Sequence, residues 1–347
     1  MKILITGNLG YIGPVVGRHL RQALPGVTLV GLDTGFFTNC LTTPIVSPEH
    51  PLNAQFYGDV RKTPDEVFNG VDAVIHLAAI SNDPMGKTFE NVTMDVNARA
   101  SLEIARKAKA AGARAFAFAS SCSVYGFAED GARSESSSLN PLTAYAHSKV
   151  ATEAGLQALA GPDFQVTCLR FATACGFSPR LRLDLVLNDF VASALVHKRI
   201  DILSDGTPWR PLINVSDMAR ALEWAATRPR ANGGDYLVVN AGSSRWNYQV
   251  KELALAVQRV IPEAQVSVNP NAQPDKRSYR VDFSQFAGLA PQHQPVRELE
   301  ESIREIKTGL ESVGFADPDF RNSRLIRLKT LSLLKSGGYV NDDLYWQ

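Results

Sequence analysis

Short apolar runs alternate with segments of helical periodicity along the first half of the chain. Runs that are apolar at nearly every position, such as VDAVIHLAA and RAFAFAS, are typical of strands that a sheet buries on both faces. The alternation predicts a parallel sheet with crossover helices. The predicted strands are Lys2–Thr6, Thr28–Asp33, Ala54–Tyr57, Ala73–Leu77, Ala115–Ser120 and Val166–Arg170. The predicted helices are Ile12–Ala23, Val92–Ala111 and Ala144–Ala160.

The pattern loosens after about Phe177, where prolines divide the chain into short pieces. A strand over Leu212–Val215 and a helix over Asp217–Thr227 are predicted to return to the first sheet. The remainder is predicted to form a smaller, discontinuous lobe that closes over the carboxyl ends of the strands, where open parallel sheets bind ligands. Near the end, RLIRLKTLSLLK predicts a helix packed on that lobe, in preference to a membrane or partner helix.

A glycine-rich segment, TGNLGYIG from Thr6 to Gly13, joins the first predicted strand to the first predicted helix. Its Gly-x-x-Gly-x-x-Gly spacing permits a tight turn and lets the backbone approach a pyrophosphate. The helix N-terminus then offers amide donors to the phosphates. The residues predicted to bind the cofactor here are Gly7, Gly10, Tyr11, Ile12 and Gly13.

A carboxylate ends the second predicted strand, Asp33 in VGLDTG. A carboxylate there can accept both ribose hydroxyls of NAD and would repel the extra phosphate of NADP, although an aspartate can also simply start a turn. No arginine follows Asp33 closely, so the predicted cofactor is NAD. Asp59 and Val60, in GDV after the third strand, are predicted to lie near the adenine. Together these features predict a Rossmann-type, doubly wound α/β domain over residues 1–176 and about 212–228, with residues 177–211 and 229–347 in the substrate-binding lobe.

The segment YAHSK begins a predicted helix that carries a phenol and an ammonium group. Tyr145 and Lys149 are four residues apart, so their side chains share one face. An ammonium near a phenol stabilises the phenolate and lowers a pKa that is ordinarily about 10, which would let Tyr145 take a proton from a hydroxyl. The segment SSCSVYG, Ser120 to Gly126, stands at the end of the preceding predicted strand, where a serine hydroxyl could hydrogen-bond the reacting oxygen. The pair alone arises often by chance, and the serine makes it informative.

The composition narrows the classes of partner. Thirty-six Lys and Arg against 35 Asp and Glu leave a formal charge of +1, which gives no support for binding nucleic acid or an anionic membrane. No apolar run approaches the length of a transmembrane helix, and the first residues lack a signal-peptide pattern. The four cysteines show neither metal-type spacing nor a disulfide framework. The sequence therefore predicts a cytoplasmic protein with reduced thiols and no metal site.

Taken in order, the motifs resemble those of the extended short-chain dehydrogenase/reductase family, which comprises nucleotide-sugar epimerases, dehydratases and reductases. The matching motifs cover roughly residues 2 to 280; they are TGNLGYIG, Asp33, GDV, HLAA, Asn97, SSCSVYG, YAHSK, LRFATACG and DGTPWRPLINVSD. The resemblance implies an NAD-dependent enzyme acting on a nucleotide-diphosphate sugar. It implies Ser121, Tyr145 and Lys149 as catalytic residues and adds Leu77, Ala78, Ala79 and Asn97 to the NAD site. It also implies substrate contacts by Ser121, Ser123, Asn188, Arg210 and Arg277, the arginines gripping the diphosphate.

The residues after Ser121 bear on the reaction. Dehydratases of the family usually place a carboxylate two positions after the catalytic hydroxyl, and 3,5-epimerases place a cysteine there. This chain has Ser123 at that position, and Cys122 comes one residue early, where an extended segment points the other way. We therefore expect a 4-epimerase, with net reduction or oxidation of a keto-sugar as the alternative, because both need only Ser, Tyr, Lys and NAD.

Two further expectations remain open. A non-catalytic NAD-binding module is a different class of function, and the intact Ser121, Tyr145 and Lys149 argue against it. A homodimer is implied by the resemblance, with the helices near Val92–Ala111 and Ala144–Ala160 in a four-helix interface. Small residues such as Ala151, Ala154 and Ala158 fit that interface, but packing on the sheet would need them equally. The family commonly has an Asn that contacts substrate in the run after LRF, where this chain reads ATACG. The following SPRLRLDLVLNDF is rich in arginine and indicates an unusual sugar or base.

Overall fold

The computed structural model describes residues 1–43, 47–128, 131–269, 272 and 278–347. The strands in these ranges are β1 (Lys2–Thr6), β2 (Thr28–Asp33), β3 (Ala54–Tyr57), β4 (Ala73–His76), β5 (Ala115–Ser121), β6 (Ala132–Arg133), β7 (Gln165–Phe171), β8 (Thr173–Cys175), β9 (Arg199–Ile202), β10 (Trp209–Asn214), β11 (Tyr236–Ala241), β12 (Asn247–Gln249), β13 (Gln265–Val268) and β14 (Arg280–Val281).

The α-helices are α1 (Gly13–Ala23), α2 (Asp83–Thr88), α3 (Glu90–Met94), α4 (Ser101–Ala110), α5 (Ala144–Gln157), α6 (Val186–His197), α7 (Val215–Thr227), α8 (Val250–Val260), α9 (Ser284–Leu289), α10 (Leu299–Ser312) and α11 (Arg327–Ser336). A π-helical turn, Asp95–Ala100, joins α3 to α4. Short 3₁₀ turns are Val60–Lys62, Asp65–Phe68, Cys122–Tyr125, Ser244–Trp246, Pro291–His293 and Phe320–Asn322.

Seven parallel strands form the main sheet, in the order β11-β7-β5-β4-β1-β2-β3. The chain builds outward from β1 through β2 and β3, then returns to β4 and continues the other way. The central strands are apolar throughout because helices cover both faces, and β4 is buried at every position. The predicted Rossmann-type α/β fold is confirmed. Ligands of such sheets bind where the strand order reverses, between β1 and β4.

One predicted strand belongs to a different sheet. The segment predicted over Leu212–Val215 lies in β10, which pairs with β8 and β12 and not with the main sheet, so that part of the prediction is wrong. Its place at the edge of the main sheet is taken by β11, which the sequence pattern did not indicate. The helix that follows β10, α7, does cover the main sheet and packs beside α1. A run of apolar residues indicates that a strand is buried, but it does not indicate which strand pairs with it.

The smaller lobe is built on helices. Helices α6, α8 and α10 share a core that includes Leu187, Leu253, Val257, Ile303 and Ile306, all fully buried. The three-stranded sheet β12-β10-β8 connects this core to the main sheet, and β9 pairs with β13 on its other side. The lobe thus stands over the carboxyl ends of the main-sheet strands. The division into the two sequence ranges predicted above remains a prediction.

The last helix does not pack where we expected. In α11, Leu331 is buried against Ile80, Met85, Phe89 and Val92, which belong to the segment after β4. The expectation that this helix packs on the smaller lobe is therefore wrong. Its leucines predicted that one face is buried, but a periodic pattern carries no information about the partner. Among the described residues, no helix is both long and apolar enough to cross a membrane.

A buried histidine gives the fold a pH-dependent component. His76 lies with its Nδ1 2.7 Å from Thr6 Oγ1 and its Nε2 2.7 Å from Ser101 Oγ. Burial, and secondarily the charge of Lys149, lowers the pKa of His76 to about 3. The unfolded chain binds this proton near pH 6.5 and the folded chain does not. This contribution to stability is therefore complete above pH 6.5 and decreases as the pH falls from 6.5 towards 3.

We expect the His76→Gln variant to lose this dependence. The free energy of unfolding of the wild type, measured relative to the variant by urea titration, should fall by about 1.4 kcal/mol per pH unit over that range. A difference between the two proteins that stays constant from pH 7 to pH 4 would contradict a neutral, buried His76.

Candidate active site

A cleft of about 870 Å³ lies between the carboxyl ends of the main-sheet strands and the smaller lobe. Its volume lies within the range of cofactor and ligand sites. The predicted site residues that line it are Gly7, Gly10, Tyr11, Ile12, Asp33, Asp59, Val60, Leu77, Ala78, Ala79, Ser121, Ser123, Tyr145, Lys149 and Arg210. The cleft thus brings together residues from β1, β2, β4, β5 and α5.

The glycine-rich loop is held against the end of β4. Gly7 has a φ of +72°, and a Cβ on it would lie 2.5 Å from the backbone nitrogen of Ala78. A Cβ on Gly13 would lie 2.1 Å from the carbonyl oxygen of Asn8. Both positions require glycine, but for different reasons, since Gly7 lines the cleft and Gly13 packs beneath it. The N-terminus of α1 follows Gly10, Tyr11 and Ile12, which line the cleft, so the positive end of the helix dipole favours a ligand phosphate there.

Tyr11 and Asn188 tie the loop to the segment before α6. The Tyr11 hydroxyl donates to the Gly176 carbonyl at 2.6 Å, and burial raises the pKa of Tyr11. The Asn188 amide nitrogen donates to the Tyr11 hydroxyl and the Arg182 carbonyl, and its oxygen accepts from the Gly176 nitrogen. Asn188 is fully buried and does not line the cleft. The structure therefore does not place Asn188 where it could contact a substrate phosphate.

The carboxylate of Asp33 faces the cleft at the end of β2. Its oxygens accept from the backbone nitrogens of Leu9 at 3.0 Å and Gly35 at 2.8 Å. Burial raises the pKa of Asp33, against the effect of these two hydrogen bonds. A carboxylate has about four acceptor positions, so two remain for ribose hydroxyls. The neighbouring Thr34 hydroxyl is buried and has no hydrogen-bond partner among the described residues.

Asp59 is held by an arginine that the sequence did not single out. Arg61 contacts both Asp59 carboxylate oxygens with its Nε and Nη2 atoms, the shortest distance being 2.6 Å. The backbone nitrogen of Arg61 donates to the same carboxylate at 2.8 Å. Since Arg61 satisfies most of the Asp59 acceptors, the carboxylate is fixed in orientation at the rim of the cleft.

Asn97 acts from behind the cleft wall. Its side chain accepts from the Ile80 nitrogen at 2.8 Å and donates to the Ile80 carbonyl at 3.0 Å and to the Ser148 hydroxyl at 3.0 Å. Asn97 is buried and does not line the cleft. It fixes the segment that carries Leu77, Ala78 and Ala79, which do line it.

The three predicted catalytic residues meet at one point. Ser121 ends β5, and its side chain lies beside that of Tyr145, in the first turn of α5. Lys149 is on the same face of α5; its Nζ donates to the Ala119 carbonyl at 2.7 Å and lies 5.5 Å from the centre of the Tyr145 ring. Thr143 caps α5 by accepting from the Ala146 nitrogen. The helix start therefore sets the direction of both side chains.

Burial dominates the electrostatics of this group. It raises the pKa of Tyr145 to about 12, although the neighbouring Ser121 side chain and the charge of Arg182 act in the opposite direction. Burial also lowers the pKa of Lys149 to about 8, against the nearby carboxylate of Glu153. The expectation that the lysine ammonium lowers the tyrosine pKa is therefore not met in the ligand-free protein, because desolvation of the phenolate outweighs the neighbouring charges.

An ion-pair cluster faces Tyr145 from the smaller lobe. Arg182 pairs with Asp184 at 2.9 Å and donates to the Ser81 hydroxyl and carbonyl, each at 3.0 Å. Asn82 donates to Asp184 at 2.6 Å. This cluster closes the reacting end of the cleft, and the arginine-rich run in the sequence was its only signal.

The remaining predicted substrate residues lie in different surroundings. Arg210 extends from β10 into the cleft, whereas Arg277 lies outside the described residues. The Ser123 hydroxyl is buried at the cleft and has no hydrogen-bond partner in the described part of the chain. Such an unsatisfied hydroxyl is unusual in a folded protein and marks a position where a ligand can supply the partner.

The sequence model of the NAD-dependent epimerase/dehydratase family matches residues 3–242. The chain belongs to this family. Family members are enzymes, and the cofactor of this cleft is NAD. The residues described above fit NAD. The glycine-rich loop has no room for a Cβ, and the adenosine end offers the Asp33 carboxylate and the Thr34 hydroxyl, which has no hydrogen-bond partner among the described residues.

Individual members similar to this chain have different activities. A UDP-glucose 4-epimerase of Streptomyces lividans is 30% identical over 288 residues, which are 76% of this chain and 83% of that one. A dTDP-glucose 4,6-dehydratase of Streptomyces antibioticus is 25% identical and covers 74% of this chain and 76% of its own. The solved structure of MoeE5 with UDP-glucose and NAD is 25% identical, with a TM-score of 0.76 over 90% of this chain and 99% of that one. The family is shown, and the specific reaction is not.

The pKa of Tyr145 can be measured in this family member by phenolate absorbance. We expect the difference spectrum between the NAD-free wild type and Tyr145→Phe to show no phenolate below pH 10.0, because burial raises the pKa of Tyr145 to about 12. Bound NAD adds a positive ring beside the phenol and should shift the transition to lower pH. A phenolate signal at neutral pH in the NAD-free protein would contradict the dominance of burial.

Proposed function

We propose that the chain is a nucleotide-sugar 4-epimerase. The observation that carries the proposal is that Ser121, Tyr145 and Lys149 converge on the cleft while the position two residues after Ser121 offers only a hydroxyl. This set supports proton transfer at one sugar hydroxyl and provides no additional acid at that position.

Ser121, Tyr145 and Lys149 have different roles in proton transfer. Tyr145 accepts the proton of the sugar hydroxyl, and Ser121, which lines the cleft beside it, orients the reacting oxygen. Lys149 favours the phenolate once the site excludes water, and its pKa of about 8 keeps it mostly protonated at neutral pH. Bound NAD supplies the hydride acceptor, and later the donor, that oxidation and re-reduction at one carbon require.

The residues after Ser121 disfavour the other reactions of the family. A 4,6-elimination of water needs a carboxylic acid near the catalytic hydroxyl, and Ser123 has none. Cys122 is 1% exposed, donates to the Arg170 carbonyl at 3.1 Å and has a pKa raised well above its ordinary value by burial. A thiol in this environment cannot exchange protons with a substrate.

The substrate is proposed to be a nucleoside diphosphate sugar. Arg210 lines the cleft on the side of the smaller lobe, where a guanidinium fork matches the geometry of phosphate oxygens. Arg277 is proposed as its partner on the strength of the family resemblance. The relatives named above act on UDP- and dTDP-sugars, and this chain is assigned the same class without a choice of base.

The reaction can be tested with purified protein and UDP-, GDP-, dTDP- and CDP-sugars, followed by NMR of the products. We expect a 4-stereoisomer to form without net consumption of NAD. Tyr145→Phe should reduce turnover by at least about 100-fold, the usual contribution of a general acid/base. Cys122→Ser is the control and should remain active, because the thiol does not reach the cleft.

Stoichiometric consumption of NAD or NADH without a stereoisomer would show the alternative, a nucleotide-sugar oxidoreductase. Loss of water from the sugar would show a dehydratase. Absence of turnover with all four classes of nucleotide sugar would favour a non-catalytic NAD-binding module, and unchanged turnover in Tyr145→Phe would exclude Tyr145 as the acid/base.

We also propose a homodimer through α5 and the helix segment from α3 to α4. Ala151 and Ala154 of α5, and Ala158 directly after it, are exposed, so packing on the sheet does not use them. Small exposed residues permit close approach of a second helix. Ala154→Arg is expected to shift the protein from dimer to monomer in analytical ultracentrifugation. Ala287→Arg, at an exposed alanine of α9 outside the proposed interface, is the matched control and should leave the dimer intact. A wild type that sediments as a monomer at all concentrations would refute the dimer.

A further inference from the structure

The chain beyond the family match contributes five residues to the cleft, which are Val250, Tyr279, Arg321, Arg327 and Leu344. Arg327, at the start of α11, and Leu344, near the end of the chain, both line it. Each is 1% exposed. Neither position falls within residues 3–242, to which the family description applies.

Among the described residues, Arg327 is a buried cation without a matching anion. Its Nη2 donates to the Arg180 carbonyl at 2.7 Å, and its guanidinium carbon lies 5.1 Å from the centre of the Phe37 ring. In the described part of the chain, no carboxylate oxygen lies within 4.0 Å of its guanidinium nitrogens. Burial lowers its pKa to about 10, so it stays charged at neutral pH. Burying an unpaired charge is unfavourable, and a ligand anion would offset that cost.

The neighbouring arginines are already paired. Arg180 contacts Glu49, and Arg182 contacts Asp184. Arg327 is close enough to the glycine-rich loop for its charge to act on the Tyr11 phenol. Its guanidinium also lies over the ring of Phe37, in the segment that follows Asp33. The Arg327 guanidinium therefore lies between the glycine-rich loop and the segment that follows Asp33.

The last residues cover the adenosine end of the same cleft. Arg61, which fixes Asp59, donates to the Asp343 carbonyl at 2.7 Å and the Leu344 carbonyl at 3.3 Å, and its guanidinium carbon lies 3.6 Å from the Tyr345 ring centre. Trp346 donates through its indole nitrogen to the Thr34 carbonyl at 2.8 Å and packs against Phe36, with 5.5 Å between ring centres.

Leu344 occupies a backbone conformation that side chains disfavour. Its φ is +58°, in the left-handed region, where a leucine costs on the order of 1 kcal/mol or more. The surrounding contacts nevertheless hold the leucine side chain inside the cleft. A glycine would adopt this backbone conformation without strain, so the reason for a leucine at this position lies in its side chain.

We propose that residues 327–347 form an outer wall of the NAD site, in which Arg327 binds the diphosphate of the dinucleotide and Leu344 closes the adenosine end. The proposal rests on the NAD cofactor of the family and is independent of which sugar carbon reacts. The nucleotide sugar also carries a diphosphate, so the experiment must separate the two ligands. The location beside the glycine loop and Asp33 favours the dinucleotide.

The charge is tested with Arg327→Gln, with Arg327→Lys as the charge-retaining variant and the exposed Arg324→Gln as the matched control. Affinities of the NAD-stripped protein for NAD, ADP-ribose and UDP are measured by calorimetry, and that for adenosine by competition against NADH fluorescence. We expect Arg327→Gln to lower the affinities for NAD and ADP-ribose by at least about 10-fold and to change the affinities for adenosine and UDP by less than about 2-fold. Only the first two ligands would place a diphosphate beside the guanidinium.

The midpoint of thermal unfolding separates a ligand-binding role from a structural one. Without NAD, Arg327→Gln should unfold at the wild-type temperature or above it, since a buried unpaired charge has been removed; the rise in Tm on adding NAD should shrink. A Tm lowered without NAD and a normal rise with NAD would make Arg327 structural and overturn the assignment. The assignment would also be overturned if Arg327→Gln bound NAD with wild-type affinity, or if it lost affinity for UDP and not for NAD.

The closing role is tested with Leu344→Gly and Trp346→Ala in single-turnover displacement of NADH by excess NAD. Both should release NADH at least about 5-fold faster than the wild type. Leu331→Ala removes a leucine from the same buried cluster but not from the cleft, so it is the control for lost packing and should release NADH at the wild-type rate. Release at the wild-type rate in both variants would show that the tail is not part of the site. These readouts need no substrate, so they stand whether or not the chain proves to be a 4-epimerase.

Discussion

The glycine-rich loop approaches the end of β4 so closely that the backbone of Ala78 occupies the place where a side chain of residue 7 would be. This contact brings the start of α1 over the point where the strand order reverses. The glycine-rich loop, the Asp33 carboxylate and Ser121 at the end of β5 therefore surround one cleft. A side chain at Gly7 would separate β1 from β4 and misalign the two halves of the site.

Burial gives this cleft its chemistry and also its constraints. The same desolvation raises the pKa of Tyr145, lowers that of Lys149 and lowers that of His76 behind them. Charged groups in the wall are accordingly paired, as Arg170 is with Glu153, which in turn accepts from Ser120. In such surroundings a single unmatched cation has a large effect on which ligand is bound and how tightly.

Much of this arrangement could be predicted from the sequence, because local patterns determine it. The bounds of β1, β2 and β3 agree with the prediction at every residue, and Ser121, Tyr145 and Lys149 were identified from a strand end and a helical spacing. Tertiary partners could not be predicted in this way. Asn188 and Asn97 are polar residues at suitable positions, but both use their amides within the fold. The partner of α11, and with it Arg327, depends on contacts between distant segments, which no local pattern encodes.

The π-helical turn at Asp95–Ala100 has a consequence for insertions and deletions. A π-turn contains one residue more than an α-helical turn, and each residue rotates the rest of the helix by about 100°. Here the widened turn leaves the Asn97 carbonyl to accept from the Ser101 and Thr152 hydroxyls while its side chain holds Ile80. A one-residue deletion would restore a regular helix and yet rotate Asn97 away from Ile80. Length variation in this helix would therefore be tolerated only in steps that keep the phase, even though every hydrogen bond of a regular helix could form.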